Sequence, residues 1–147
     1  MVEVVDETNR FPHAARLQRI LERLLALKAG ADREMTLVLL DDSAISELNE
    51  RDRGVAGPTD VLSYPTWEPD DDGLPQVPHL GDVLISIDTA GRQAAEQGHT
   101  LFEELVTLAA HGLTHLLGYD HQTEEEWHIF RETQGLALQL ARDGTTG

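Results

Sequence analysis

Three histidines, His111, His115 and His121, stand at i, i+4 and i+10 in the stretch HGLTHLLGYDH. Residues four apart lie one turn apart on the same helix face, so two imidazoles placed this way can share one metal ion. Gly118 sits between the second and third histidines, where a residue tolerant of positive φ can end the helix and turn the chain sharply. That turn brings His121 back toward the point that His111 and His115 face. Three neutral imidazoles with a fourth position left open describe a catalytic zinc site, because a structural site is normally closed by four protein ligands. The expected cofactor is therefore one Zn²⁺ ion on His111, His115 and His121.

Metzincin proteases use the same spacing, H-E-x-x-H-x-x-G-x-x-H, with the glutamate after the first histidine as general base. This chain has Gly112 at that position. A peptidase built on the motif would lack its proton acceptor, so proteolysis is the lesser reading.

The elements that must position these residues follow from periodicity and punctuation. VEVVDE near the start alternates as a strand does. Pro12 and Gly30 bracket a helix over 12–29. MTLVLLD (35–41) is a continuous apolar run and reads as a buried strand. Residues 42–53 open on capping residues and read as a short helix. TDVLSYP (59–65) and GDVLISID (81–88) read as strands, the second leading into a short helix stopped near Gly98. Thr100 with Glu103 makes a capping box before a helix over 101–118, and Thr123 with Glu126 repeats that signature before a last helix over roughly 124–142. The 101–118 helix is apolar apart from a stripe of Glu103, Glu104, Thr107, His111, Thr114 and His115. It should be largely buried, with the stripe turned to a cleft. The proline-rich, acidic segment 65–80 reads as a long loop of the kind that often forms a lid. The tail 143–147 reads as frayed. The expected fold is a single α+β domain over 1–147 with about four strands and the metal site at the end of a buried helix.

Composition bounds the rest. Eleven basic residues against 27 acidic ones give a formal net charge of −16, which opposes non-specific attraction to nucleic acid and to anionic membranes. No apolar run approaches the roughly 20 residues of a membrane span. No signal peptide is read at the start, and no cysteine is present. A cytoplasmic protein with no membrane or DNA partner is expected.

Beyond spacing, HGLTHLLGYDH resembles the signature of the bacterial YbeY family, close to H-G-x-L-H-L-x-G-Y-D-H, with Thr114 where leucine is usual. TDVLSYP resembles the family's T-D-V-L-S-F-P, with Tyr64 for phenylalanine. LGDVLISIDTAGRQAAEQGH resembles a third family segment in the same order and spacing. The similarity covers most of residues 35–135. LNERDRGVAGPTD resembles the family context N-x-x-Y-R-x-K, which puts Arg53 on the family arginine, with Asp52 in place of the aromatic residue and Val55 in place of the lysine.

The resemblance implies a zincin-like fold with a small mixed, mostly parallel sheet flanked by helices. It implies a metal-dependent endoribonuclease of single-stranded RNA, working in 16S ribosomal RNA 3′-end maturation and ribosome quality control alongside the ribosome or its proteins. On this reading Arg53 and His111 are the catalytic candidates, with Arg53 holding a non-bridging phosphate oxygen. Zinc there would acidify bound water or polarise a phosphoryl oxygen. Glu104 is placed to support His111 from two turns back. Asp60, Asp82 and Asp120 can orient a histidine N–H or equally cap a turn. No general base is named. Arg16, Arg19 and Arg23 form a basic stripe, read first as a solvated helix face. His13, His79, His99 and His128 are read as surface or structural residues. The acidic run 70–72 lacks the spacing of a calcium loop. A peptidase, or a non-catalytic ribosome-assembly factor with structural zinc, are the competing readings.

Overall fold

The computed structural model describes residues 1–67 and 77–143. β1 (Val2–Asp6), α1 (Ala14–Ala29), β2 (Glu34–Leu40), α2 (Asp42–Arg53), β3 (Val61–Pro65), β4 (His79–Ser86), α3 (Ile87–Gln97), α4 (Leu101–Leu116) and α5 (Glu124–Asp143) follow one another along the chain. The four strands form one sheet in the order β1-β2-β4-β3. β1 pairs parallel with β2 and β2 parallel with β4, while β3 runs antiparallel along the edge of β4. Four strands match the α+β reading of the sequence, and the mixed, mostly parallel sheet is the one that the family resemblance implies.

Apolar side chains on both faces of the central strands explain why they are covered twice. Met35, Leu37, Leu39, Val83 and Ile85 enter the main core with α1 and α4, whereas Leu40 and Leu62 meet Ile45 of α2 in a smaller cluster. Burying each Leu or Ile is worth about 1.5–3 kcal/mol, so α4, with Leu105, Val106, Leu108, Leu113 and Leu116 all buried, is held hard against the sheet. The capping box of Thr100 and Glu103 starts that helix as expected.

Several element ends differ from the sequence reading. α1 starts at Ala14, because Pro12 lies in the preceding turn and His13 occupies the N-cap. β4 stops at Ser86, whose hydroxyl accepts the Thr89 N–H at 3.2 Å and so converts the last expected strand residues into the start of α3. α4 ends at Leu116, two residues before Gly118. The expected lid over 65–80 is described only at its two ends, where β4 already begins at His79; its central part, including residues 70–72, lies outside the described residues. Asp143 still belongs to α5, and the remainder of the expected frayed tail likewise lies outside them.

Candidate metal centre

His111 and His115 occupy the last two turns of α4, one above the other. Beyond Leu116 the chain turns on Gly118, whose φ is 98°, a conformation that most side chains resist. A Cβ at Gly118 would also come within 2.9 Å of the Trp67 ring. Trp67 in turn donates its indole N–H to the Leu116 carbonyl at 2.8 Å, occupying one of the acceptors that a helix end leaves open. The turn delivers His121, and the ligand atoms of His111, His115 and His121 all lie within 4.8 Å of one another. Three imidazole nitrogens gathered this closely could hold one metal ion.

Electrostatics fit a cation site. Burial pushes His111 down to about 4, with the neighbouring His115 and His121 adding to the effect and Asp60 opposing it. Burial also lowers His115, partly offset by its bond to the Tyr119 carbonyl. Imidazoles that resist protonation keep a lone pair available for a metal at neutral pH. His115 Nδ1 lies 3.1 Å from the Tyr119 carbonyl oxygen, which can only accept, so Nδ1 carries the proton and Nε2 is the free ligand atom.

The wall behind the three rings comes from α5, which sequence reasoning left without a role in the site. Phe130 is fully buried and packs on all three imidazoles, with centroid distances of 4.7, 4.8 and 5.5 Å. Trp127 stacks on His121 at 4.6 Å with an interplanar angle of 21°. Gln134 reaches His111 Nδ1 at 3.2 Å. These residues stand at i, i+3 and i+7, so an inward-facing stripe was present in the sequence; nothing local said what it would face. Glu126 ties this helix to the ligand turn, accepting the Asp120 N–H at 3.0 Å while Thr123 caps the Glu126 N–H.

A cavity of about 630 Å³ opens over the histidines, lined also by Arg53, Thr59, Asp60, Ser63, Tyr119 and Asp120. Arg53 is the only Arg or Lys among the lining residues described. It is the last residue of α2, ahead of the left-handed Gly54, and the buried Asn49 steadies the following turn by donating to the Gly57 carbonyl at 3.0 Å. Two of the departures from the family pattern, Asp52 and Tyr64, meet each other, since the Tyr64 hydroxyl donates to Asp52 at 2.7 Å. Arg51 and Tyr64 together hold the Asp52 carboxyl at about 2, and burial with Asp52 pushes Tyr64 up to about 12. Asp52 and Tyr64 thus anchor the Arg53 end of α2 to β3.

Gly112 has a packing reason. A Cβ there would fall 2.4 Å from Val83 Cγ1 and 3.2 Å from Ser63 Oγ. The helix lies too close to the sheet for the glutamate of a metzincin motif.

The other candidates separate. Glu104 is buried but pairs with His99 at 3.0 Å, so it anchors the α3–α4 corner and gives His111 no support, contrary to the sequence reading. Asp60 caps the Val61 N–H and Asp120 the His121 N–H; both line the cavity, and neither bonds a ligand imidazole among the described residues. Asp82 pairs with His79 at 3.3 Å, away from the cavity lining. His13, His79, His99 and His128 stay outside the cluster, as expected. Arg16 lies 4.2 Å from the Phe102 ring centroid and donates to the Ala141 carbonyl, while Arg19 and Arg23 remain exposed. Among the described residues, no helix is long and apolar enough to cross a membrane.

Comparison with known proteins adds to this geometry. The sequence profile described as Endoribonuclease YbeY matches residues 3–141. A Thermus thermophilus protein named Endoribonuclease YbeY is 46% identical over 142 residues, covering 95% of this chain and 100% of that one. A Deinococcus radiodurans protein of the same name is 46% identical over 119 residues, covering 74% of this chain and 76% of the other. The solution structure of a Thermotoga maritima protein is similar with a TM-score of 0.68 at 26% identity, covering 97% of this chain and 93% of that chain.

Proposed function

The chain belongs to the YbeY family of endoribonucleases, and from that membership we propose a zinc-dependent, single-strand-specific endoribonuclease that hydrolyses RNA phosphodiester bonds. We assign it to 16S ribosomal RNA 3′-end maturation and ribosome quality control in the cytoplasm, in association with the ribosome. The observation that carries the reading is the shared cavity, in which three imidazoles able to hold one cation face the same space as Arg53.

His111, His115 and His121 would hold the ion, which supplies Lewis acidity toward a phosphoryl oxygen and toward water. Arg53 binds a non-bridging phosphate oxygen through paired N–H groups and offsets the charge that builds on it in the transition state. Asn49 and the Asp52–Tyr64 bond keep that guanidinium at the cavity edge. Phe130, fully buried, excludes water behind the histidines, while the exposed Trp127 stacks on His121; the front of the site is left to substrate. Gly112 leaves no side chain at the place where a metzincin protease carries its base, so peptide hydrolysis is disfavoured.

The test compares purified protein with His115→Ala and Arg53→Glu on single-stranded RNA, with metal content measured for each. His115→Ala should lose metal and cleavage together. Arg53→Glu should keep metal and lose cleavage by about 10²-fold or more, the scale of removing one transition-state donor. Equal cleavage by all three preparations would reveal a contaminating nuclease and sink the proposal. Metal-dependent cleavage of casein would revive the peptidase reading. Metal binding with no RNA cleavage would leave a non-catalytic assembly factor.

A further inference from the structure

The three ligand histidines are not held alike. His115 faces a backbone carbonyl, which can only accept, so its tautomer is fixed with Nε2 free. His111 instead faces the primary amide of Gln134, whose Nε2 lies 3.2 Å from His111 Nδ1. An amide has a donor end and an acceptor end of nearly the same shape, so this contact can fix either tautomer. With the amide nitrogen toward the ring, Nδ1 accepts, and the proton of the neutral imidazole sits on Nε2, where it blocks a metal. With the amide oxygen toward the ring, Nδ1–H donates and Nε2 presents a lone pair to the cation. Turning the amide by 180° exchanges the two arrangements without changing the packing around it.

We infer that Gln134 is a positioning residue that holds His111 as the Nδ1–H tautomer when metal is bound, making α5 part of the metal centre. The inference rests on the metal-centre reading above. The placement of Gln134 supports it independently of the ring contact. Phe130, one turn earlier on α5, is packed on His111 at 4.7 Å, and Glu126 fastens the same helix to the ligand turn. The amide is therefore held at the ring by a helix that has little room to shift. A glutamate at position 134 would present only acceptors and would preset the ring for metal. A methionine of similar shape would present no strong acceptor.

Zinc affinity of the parent, Gln134→Glu and Gln134→Met decides this, measured by competition with a chromogenic chelator at neutral pH. Long-range ¹H–¹⁵N spectra of His111 in the zinc-free and zinc-loaded proteins report the tautomer. Gln134→Met should weaken zinc about 10–100-fold, the usual effect of losing a residue that orients a ligand. Gln134→Glu should bind zinc at least as tightly as the parent and show the Nδ1–H tautomer already without zinc. A merely structural role would shift the melting temperature of the zinc-free proteins without separating Glu from Met in zinc affinity. Zinc affinity of Gln134→Met within threefold of the parent overturns the inference, as does equal weakening by both substitutions. If Gln134→Met does not fold, the tautomer and zinc affinity of Gln134→Glu against the parent decide alone. Absence of zinc binding by the parent would instead remove the metal centre itself.

Discussion

At the scale of single residues, burial holds two of the site's imidazoles, His111 and His115, below the ordinary histidine range. Burial pushes His111 down to about 4 in the folded chain, from its ordinary 6.5 once unfolded. Between these values the unfolded chain binds a proton that the folded chain does not, so stability falls as pH is lowered from 6.5 toward 4. Above 6.5 His111 contributes no pH dependence, and below 4 its effect is constant. The urea midpoint of metal-free protein at pH 7, 5.5 and 4.5 should therefore decline, and it should decline less in His111→Leu. An equal decline in both would show that other groups carry the acid sensitivity. Asp52 and Tyr64 illustrate the same scale differently. Each departs from the family pattern when taken alone, and the hydrogen bond between them makes the two departures one local solution.

At the scale of elements, α4 does two tasks that limit each other. Its apolar faces bind it to the sheet, while its last two turns present His111 and His115 to the cavity. The close approach of α4 to β4 demands a glycine at 112, next to His111. Gly112→Ala should destabilise the protein by about 1–3 kcal/mol through overpacking against Val83, lowering Tm by roughly 3–9 °C. Adding Val83→Ala should recover part of that loss, because it removes both methyl groups that the new Cβ meets. Thermal melts of the two variants check this, and an unchanged Tm in Gly112→Ala would mean that the helix shifts freely on the sheet. α5 completes the arrangement by backing all three rings with Phe130.

At the scale of the whole molecule, a formal net charge of −16 must be reconciled with a polyanionic substrate. Arg53 is the only Arg or Lys among the described residues lining the cavity, with Asp60 and Asp120 nearby. Each phosphate neutralised on a single strand contributes a slope of about −0.7 to log K against log salt. Binding of a non-cleavable single-stranded RNA to the metal-loaded protein should therefore show a shallow slope, about −0.7 for the one phosphate that Arg53 neutralises. Titration between 50 and 200 mM salt checks it. A slope of −4 or steeper would mean that cations outside the cavity, such as the exposed Arg19 and Arg23, carry the RNA backbone.

The histidine cluster, the order of elements and the family were legible in the sequence because each depends on near neighbours: helical spacing for His111 and His115, a glycine turn for His121, and contiguous motifs for the rest. Tertiary structure alone decided what those residues meet. Glu104 shares a helix face with His111, yet it pairs with His99 across a corner that no periodicity specifies. Phe130, Trp127 and Gln134 form an ordinary helical stripe in the sequence, and they became the wall of the site only when α5 packed against α4. Local pattern fixes which side of a helix is apolar or polar. Which neighbour that side finds is settled by long-range packing, and the support of the histidine cluster lies there.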